Sequence, residues 1–147
     1  MWHNKIILLW RKIYKILWCC RLNNTAYSGD QTFSVIIAGS RGFSDYDLLC
    51  DKCDKLFSRR KPTVILCGEA KGADLLGKRY AKEHGIPVQS FPAQWDQYGK
   101  AAGMIRNKQM LAFADALVAF WDGESPGTEN MLDIAANKGI PVRVICY

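Results

Sequence analysis

Asp115 to Ala135 reads DALVAFWDGESPGTENMLDIA and holds three parts in a row. Ala116 to Trp121 is a short apolar run, β-branched and aromatic enough for a buried strand. Asp122 to Gly127 is a cluster of turn formers. Thr128 to Asn137 resumes a helical rhythm, with Met131, Leu132 and Ala135 spaced for one face. A strand, a glycine turn and a helix start leave backbone N–H groups pointing out of the helix N-terminus, where they and the helix dipole favour an anion such as phosphate. An ordinary strand-to-helix turn, capped by Ser125 or Thr128, explains the same residues.

Working outward, the same alternation recurs. Phe33 to Ala38 (FSVIIA) is a strand, followed by the tight turn Gly39-Ser40-Arg41-Gly42. Ser44 to Asp47 has the spacing of a capping box and opens a helix to about Phe57, with Leu49, Cys53 and Leu56 inward. Thr63 to Cys67 (TVILC) is a second strand, Gly68 to Asp74 a second glycine turn, and a helix runs on to His84. Pro87 to Phe91 is a third strand, Pro92 to Lys100 a loop, and Ala101 to Ala114 a helix. Pro141 to Cys146 (PVRVIC) is the last strand. His84-Gly85-Ile86-Pro87 and Lys138-Gly139-Ile140-Pro141 are matching helix exits, in which Gly suits a left-handed C′ position and Pro blocks further helix.

Apolar strands alternating with helices specify an α/β fold, a five-stranded parallel sheet covered on both faces and doubly wound through right-handed crossovers. Such sheets bind ligands at the carboxyl ends of their strands, where the strand order reverses. If the two halves wind in opposite directions, strands one and four are neighbours and the turns at 39–42 and 123–128 converge.

The chain has 147 residues and a formal net charge of +6, enough for one domain of ordinary size. Residues 1–30 hold five basic side chains and one acidic; the remaining 117 hold 15 and 13. The body is therefore close to neutral, which argues against nucleic acid as its partner. Residues 1–22 read as a basic amphipathic helix, with Lys5, Arg11, Lys12 and Lys15 opposite Ile6, Leu9, Trp10, Ile13, Ile16 and Leu17. That pattern suits an anionic membrane surface, or docking on the body or a partner, but Arg11, Lys12 and Lys15 interrupt it too early for a span. Residues 23–32 read as a linker and 33–147 as the working domain. Cys50-x-x-Cys53 has no second pair at metal-ligand spacing, so neither a metal nor a cofactor is expected. Reduced thiols without an export signal fit a cytoplasmic protein, peripheral to a membrane where the first helix binds one.

Four motifs in order carry a resemblance: Gly39-Ser40-Arg41 with Phe43 and Asp45; Gly68-x-Ala70-x-Gly72-Ala73-Asp74; Arg106-Asn107 with Met110; and Trp121-Asp122-Gly123 followed by Ser125-x-Gly127-Thr128. They resemble the SLOG superfamily of Rossmann-like nucleotide-binding proteins, and most of all its YspA/YpsA-related branch, over about Phe33 to Cys146. The resemblance implies a single Rossmann-like domain with a site for a nucleotide or a nucleotide-derived ligand related to NAD or ADP-ribose. More distant relatives include the LOG-type phosphoribohydrolases, which cleave an N-glycosidic bond, and DprA-type proteins, which hold single-stranded DNA. The hydrolases show motifs similar to P-G-G-x-G-T-x-x-E and M-H-x-R-K-x-x-M. Arg106 and Met110 match the second, whereas Asn107 replaces its Lys and Met131 stands where the first has Glu.

On this resemblance Thr128 and the Gly127 backbone hold a phosphate, with Gly123 and Ser125 shaping the turn. Gly39, Ser40 and Gly42 bring the chain close to it, and Arg41 clamps it unless it is a plain surface residue. Arg106 and Asn107 face the pocket from their helix; a solvent-facing salt bridge is the alternative for Arg106. Gly68, Glu69, Gly72 and Asp74 form the second turn, where a carboxylate can accept ribose hydroxyls, although Asp74 also suits a first helical turn. Trp95 and Tyr98 either stack on a base or anchor their loop. His84 caps a helix C-terminus. Three functions follow in order: a binder or sensor of a nucleotide-derived ligand; a nucleotide N-glycosidase, with Arg106 and a carboxylate from Glu129, Glu124 or Glu69; and a single-strand nucleic-acid binder. The architecture also admits a homodimer.

Overall fold

The computed structural model describes residues 31–147. The amphipathic helix expected over 1–22, its membrane contact and nearly all of the linker lie outside the described residues. The described chain runs β1 (Ser34–Gly39), α1 (Tyr46–Phe57), β2 (Val64–Cys67), α2 (Ala73–Glu83), β3 (Val88–Ser90), α3 (Trp95–Tyr98), a 3-10 turn (Gly99–Ala101), α4 (Ala102–Phe113), β4 (Ala116–Trp121), α5 (Pro126–Lys138) and β5 (Val142–Cys146). The five strands form one parallel sheet in the order β3-β2-β1-β4-β5. The sheet is α/β and Rossmann-like, as its alternating sequence specifies.

β1 sits at the centre because both of its faces are apolar: Val35, Ile36 and Ile37 are wholly buried. Val35 and Ile37 pack with Leu49 and Cys53 of α1 and with Tyr80 and Ala81 of α2. α4 and α5 pack on each other and on β1, and they bury Met110, Leu111, Met131 and Ala135. β1 pairs with β4 in the register Ile36↔Leu117 and Gly39↔Phe120, so the two central strands end together. The winding reverses between them, and the crevice beyond their carboxyl ends is the place such a sheet reserves for ligands.

Four local details differ from the sequence reading. Asp45, not Ser44, caps α1, because its Oδ1 accepts the Leu48 N–H at 2.9 Å. Leu56 is 36% exposed, as the apolar stripe of α1 passes from Cys53 to Phe57, which packs against the core instead. Residues 95–101 coil into α3 and the 3-10 turn instead of an open loop. Ser125 occupies the N-cap position of α5 without a side-chain cap.

The twin helix exits hold: Gly85 (φ +63°) and Gly139 (φ +76°) are both left-handed. At the first, His84 is the C-cap residue, with Nδ1 2.8 Å from the Tyr80 carbonyl. Lys138 joins two helix ends, its Nζ donating to the carbonyls of Leu111, of Ala112 at 3.3 Å and of Ala114 at 2.9 Å. No helix among the described residues is long and apolar enough to cross a membrane.

Candidate functional site

Ser40 ties three turns into one floor. It is 1% exposed, and its N–H donates to the Phe120 carbonyl at 2.9 Å. Its own carbonyl accepts from Phe43 N at 3.2 Å and Ala73 N at 3.5 Å, while its hydroxyl accepts from Asp122 N at 3.2 Å. Two glycines permit this packing. A Cβ on Gly39 would lie 2.0 Å from the Phe120 carbonyl oxygen, and one on Gly72 (φ +81°) would lie 2.4 Å from the Ser40 carbonyl oxygen. These glycines face protein. Gly42 and Gly127 meet nothing within 4 Å and open onto a cavity.

That cavity, of about 600 Å³, lies over the carboxyl ends of β1 and β4. It brings together Gly39, Ser40, Arg41, Gly42, Asp74, Arg106, Asn107, Ser125, Gly127 and Thr128 of the residues expected from sequence. Gly68, Glu69, Gly72, Gly123, Glu124 and Glu129 are not in its wall. Glu69 has other partners: it pairs with Lys78 at 2.7 Å and accepts the Ser90 hydroxyl, which holds its carboxyl below the usual range. Ala38, Ala70, Trp95, Lys100, Gly103, Met104, Pro126, Asn130 and Met131 complete the wall. Of these, Trp95 carried a sequence signal as an aromatic between turn residues; Lys100, in the 3-10 turn, and Met104, on α4, had none.

The start of α5 forms one wall. Asp122 accepts the amides of Glu124 (3.0 Å) and Ser125 (2.8 Å) and the Ser125 hydroxyl (2.6 Å). The Ser125 hydroxyl bond and these amides hold the Asp122 carboxyl far below the usual aspartate range. Because its hydroxyl turns to Asp122, Ser125 does not cap the helix, and Pro126 brings no N–H. The amides of Gly127 and Thr128 are thus left without a side-chain cap at the positive end of a 13-residue helix.

α4 and α2 form the opposite wall. Arg106 and Asp74 are both mostly buried, with side chains 11% and 6% exposed, and Arg106 Nη1 lies 4.0 Å from Asp74 Oδ2. Arg106 Nη1 donates to the Gly68 carbonyl and Nε to Asn107 Oδ1 at 3.1 Å. A Cβ on Gly68 would lie 2.4 Å from Arg106 Nη1 and 2.5 Å from Asp74 Oδ2, so a side chain there would displace this pair. Asn107 is 4% exposed and donates to the Gly127 carbonyl (3.2 Å) and Asn130 Oδ1 (3.1 Å), which joins α4 to α5. Burial pushes the Asp74 carboxyl up to about 6, against the pull of Arg106 and of the amides of Ala70 and Gly39.

The wall carries three cationic side chains, Arg41, Lys100 and Arg106, and one carboxylate, Asp74. Arg41 and Lys100 are exposed at the rim. Arg41 makes no ion pair among the described residues, and its Cζ lies 5.9 Å from the centroid of the Trp95 ring. Among the described residues no group of three or more His, Cys, Asp or Glu is placed to hold a metal ion. The electrostatics favour an anion.

A doubly wound sheet of order 3-2-1-4-5, with a cavity at its switch point, defines a Rossmann-like α/β protein. The family model of the YspA, cpYpsA-related SLOG family matches residues 33–98, which include the first two turns. The chain is also 36% identical over 115 residues to the Gene 61 protein of Mycobacterium phage D29, covering 74% of this chain and 92% of that protein. The chain belongs to the YspA/cpYpsA-related SLOG family. That membership points to nucleotide-related binding or processing.

Proposed function

We propose that the cavity binds a nucleotide-derived anionic ligand, of NAD or ADP-ribose type, and that the protein acts as its binder or sensor. One observation carries this reading: the uncapped start of α5 opens into a cavity whose wall is rich in cations. A phosphate there would accept the Gly127 and Thr128 amides, with Arg41 reaching in from the rim. The spare donors of Arg106 and the carboxylate of Asp74 would meet the sugar hydroxyls.

The test is thermal shift of the whole chain with AMP, GMP, NAD and ADP-ribose, followed by mass spectrometry for released base. A ligand that binds only the folded state raises the midpoint with concentration, by about 2.7 kcal/mol of stability at a hundred times Kd. Arg41→Ala should weaken binding about tenfold, the worth of one charge-assisted hydrogen bond, and leave the unliganded midpoint unchanged. No shift with any of the four would end this reading. A second reading, N-glycosidic hydrolysis, is favoured by one observation: a mostly buried carboxylate with a raised pKa, Asp74, lies in the wall beside Arg106. Glu129, Glu124 and Glu69 lie outside that wall, so Asp74 replaces them as the candidate acid. Free base in the spectrometer, lost in Asp74→Asn, would select this reading.

A further inference from the structure

The cavity mouth contains a feature that phosphate binding leaves unused. Trp95 is 49% exposed and Met104 is 52% exposed, and both line the cavity. Trp95 belongs to the four-residue helix α3, none of whose residues is buried, so its ring is not the buried anchor of that segment. The ring is nonetheless placed. Its Cη2 lies 3.6 Å from where a Cβ on Gly103 would stand, so the ring edge rests on the surface of α4 where a glycine leaves room. The Arg41 guanidinium stands 5.9 Å from the ring centroid and can cover one face only. Met104 follows Gly103 on α4 and brings a polarizable thioether to the same opening. An indole face and a thioether share one chemistry: each is a good neighbour for a flat π system.

We propose that Trp95, on the ring face that Arg41 leaves open, and Met104 form a stacking slot for a planar aromatic base, so that the cavity selects a nucleotide over a bare sugar phosphate. This rests on the reading that the cavity takes a nucleotide-derived anion. The base enters at the mouth, where its polar edges stay in water, and the phosphate goes to the start of α5. Stacking reads a π face and not a hydrogen-bond pattern, so the slot tolerates different bases. Discrimination among them is left to polar groups deeper in the wall.

The experiment is calorimetric titration of the full chain with AMP, ribose 5-phosphate and inorganic phosphate, for the wild type and for Trp95→Leu, Trp95→Phe and Met104→Ala. AMP should bind about tenfold or more tightly than ribose 5-phosphate, the usual worth of one base–aromatic stack. Trp95→Leu should bring AMP down to the level of ribose 5-phosphate and leave ribose 5-phosphate itself unchanged. Trp95→Phe should keep most of the preference, and Met104→Ala should lose about threefold for AMP alone. Both sites are outside the core, so thermal midpoints should match the wild type. Equal affinity of the wild type for AMP and ribose 5-phosphate overturns the slot while the anion site stands, and so does a Trp95→Leu variant that weakens both equally. Binding of none of the three probes overturns the slot, and the reading beneath it is then decided by NAD and ADP-ribose.

Discussion

Replacing Asp74 by Asn should make the protein more stable at neutral pH, and the gain should grow as pH rises. The Asp74 side chain is 6% exposed, and burial raises its pKa from 3.8 to about 6 in spite of Arg106 at 4.0 Å. At about 1.4 kcal/mol per pH unit, the ionised carboxylate costs the folded state about 3 kcal/mol relative to the unfolded chain. The sign follows from proton counting. Between 3.8 and about 6 the unfolded chain has released its proton while the folded one keeps it. The favourable contribution is complete below 3.8 and is lost as pH rises through about 6. Asp122, Glu69, Asp51 and Glu83 have lowered values and pull the other way, but they are common to both proteins and cancel in the difference. Arg106 keeps its bonds to the Gly68 carbonyl and Asn107 in the variant. Urea unfolding of both proteins at several values between about pH 4 and pH 8 gives the stability difference. The two curves should separate by about 2 kcal/mol from pH 4 to pH 7 in favour of Asp74→Asn. Parallel curves would show that burial does not govern this carboxyl. Curves that converge with rising pH would show that the ion pair with Arg106 outweighs desolvation, and would refute the reasoning outright.

Gly39→Ala should abolish the soluble folded domain, because its Cβ would fall 2.0 Å from a backbone oxygen of β4 in the centre of the sheet; a cooperative unfolding transition of wild-type midpoint would contradict the packing described for the first turn. Asn107→Ala should cost about 1–3 kcal/mol in urea, since a buried side chain with three hydrogen bonds is lost and the Arg106 Nε loses its acceptor. Cys53 and Cys67, whose thiols burial pushes up to about 12, should resist iodoacetamide at neutral pH in the native protein, whereas the exposed Cys146 should react. Peptide mapping checks this, and native-state labelling of Cys53 or Cys67 would mean that α1 or β2 opens.

The sheet was legible because each of its signals is local. An apolar run bounded by glycine turns, repeated with helical stretches between, specifies parallel strands wherever it occurs. The pairing of β1 with β4 followed from one further step, the reversal of winding between the two halves. The cavity was half legible. Spacing placed Arg106 and Asn107 at the start of α4 and Gly127 and Thr128 at the start of α5, since position along a helix is a matter of counting. Spacing does not say where a long side chain leans. Glu69 was read with Asp74 because they share a turn, yet Lys78 and Ser90 engage the first while α4 covers the second. Nor does a glycine in sequence announce what it faces. Gly39, Gly68 and Gly72 leave room for other parts of the protein, whereas Gly42 and Gly127 leave room for the cavity.

The division among the glycines extends to the polar groups and separates two kinds of residue around one cavity. Ser40, Asn107 and Asp122 spend their hydrogen bonds on protein atoms and fix where the turns lie. Arg41, Lys100 and the amides of Gly127 and Thr128 face the cavity with capacity to spare. Asp74 belongs to neither group: it has partners, but too few to offset its burial. A fold under selection for stability alone would gain from a neutral side chain there. On the proposed reading, the hydroxyls of a ligand's sugar would donate to the Asp74 carboxylate and offset the cost of its burial.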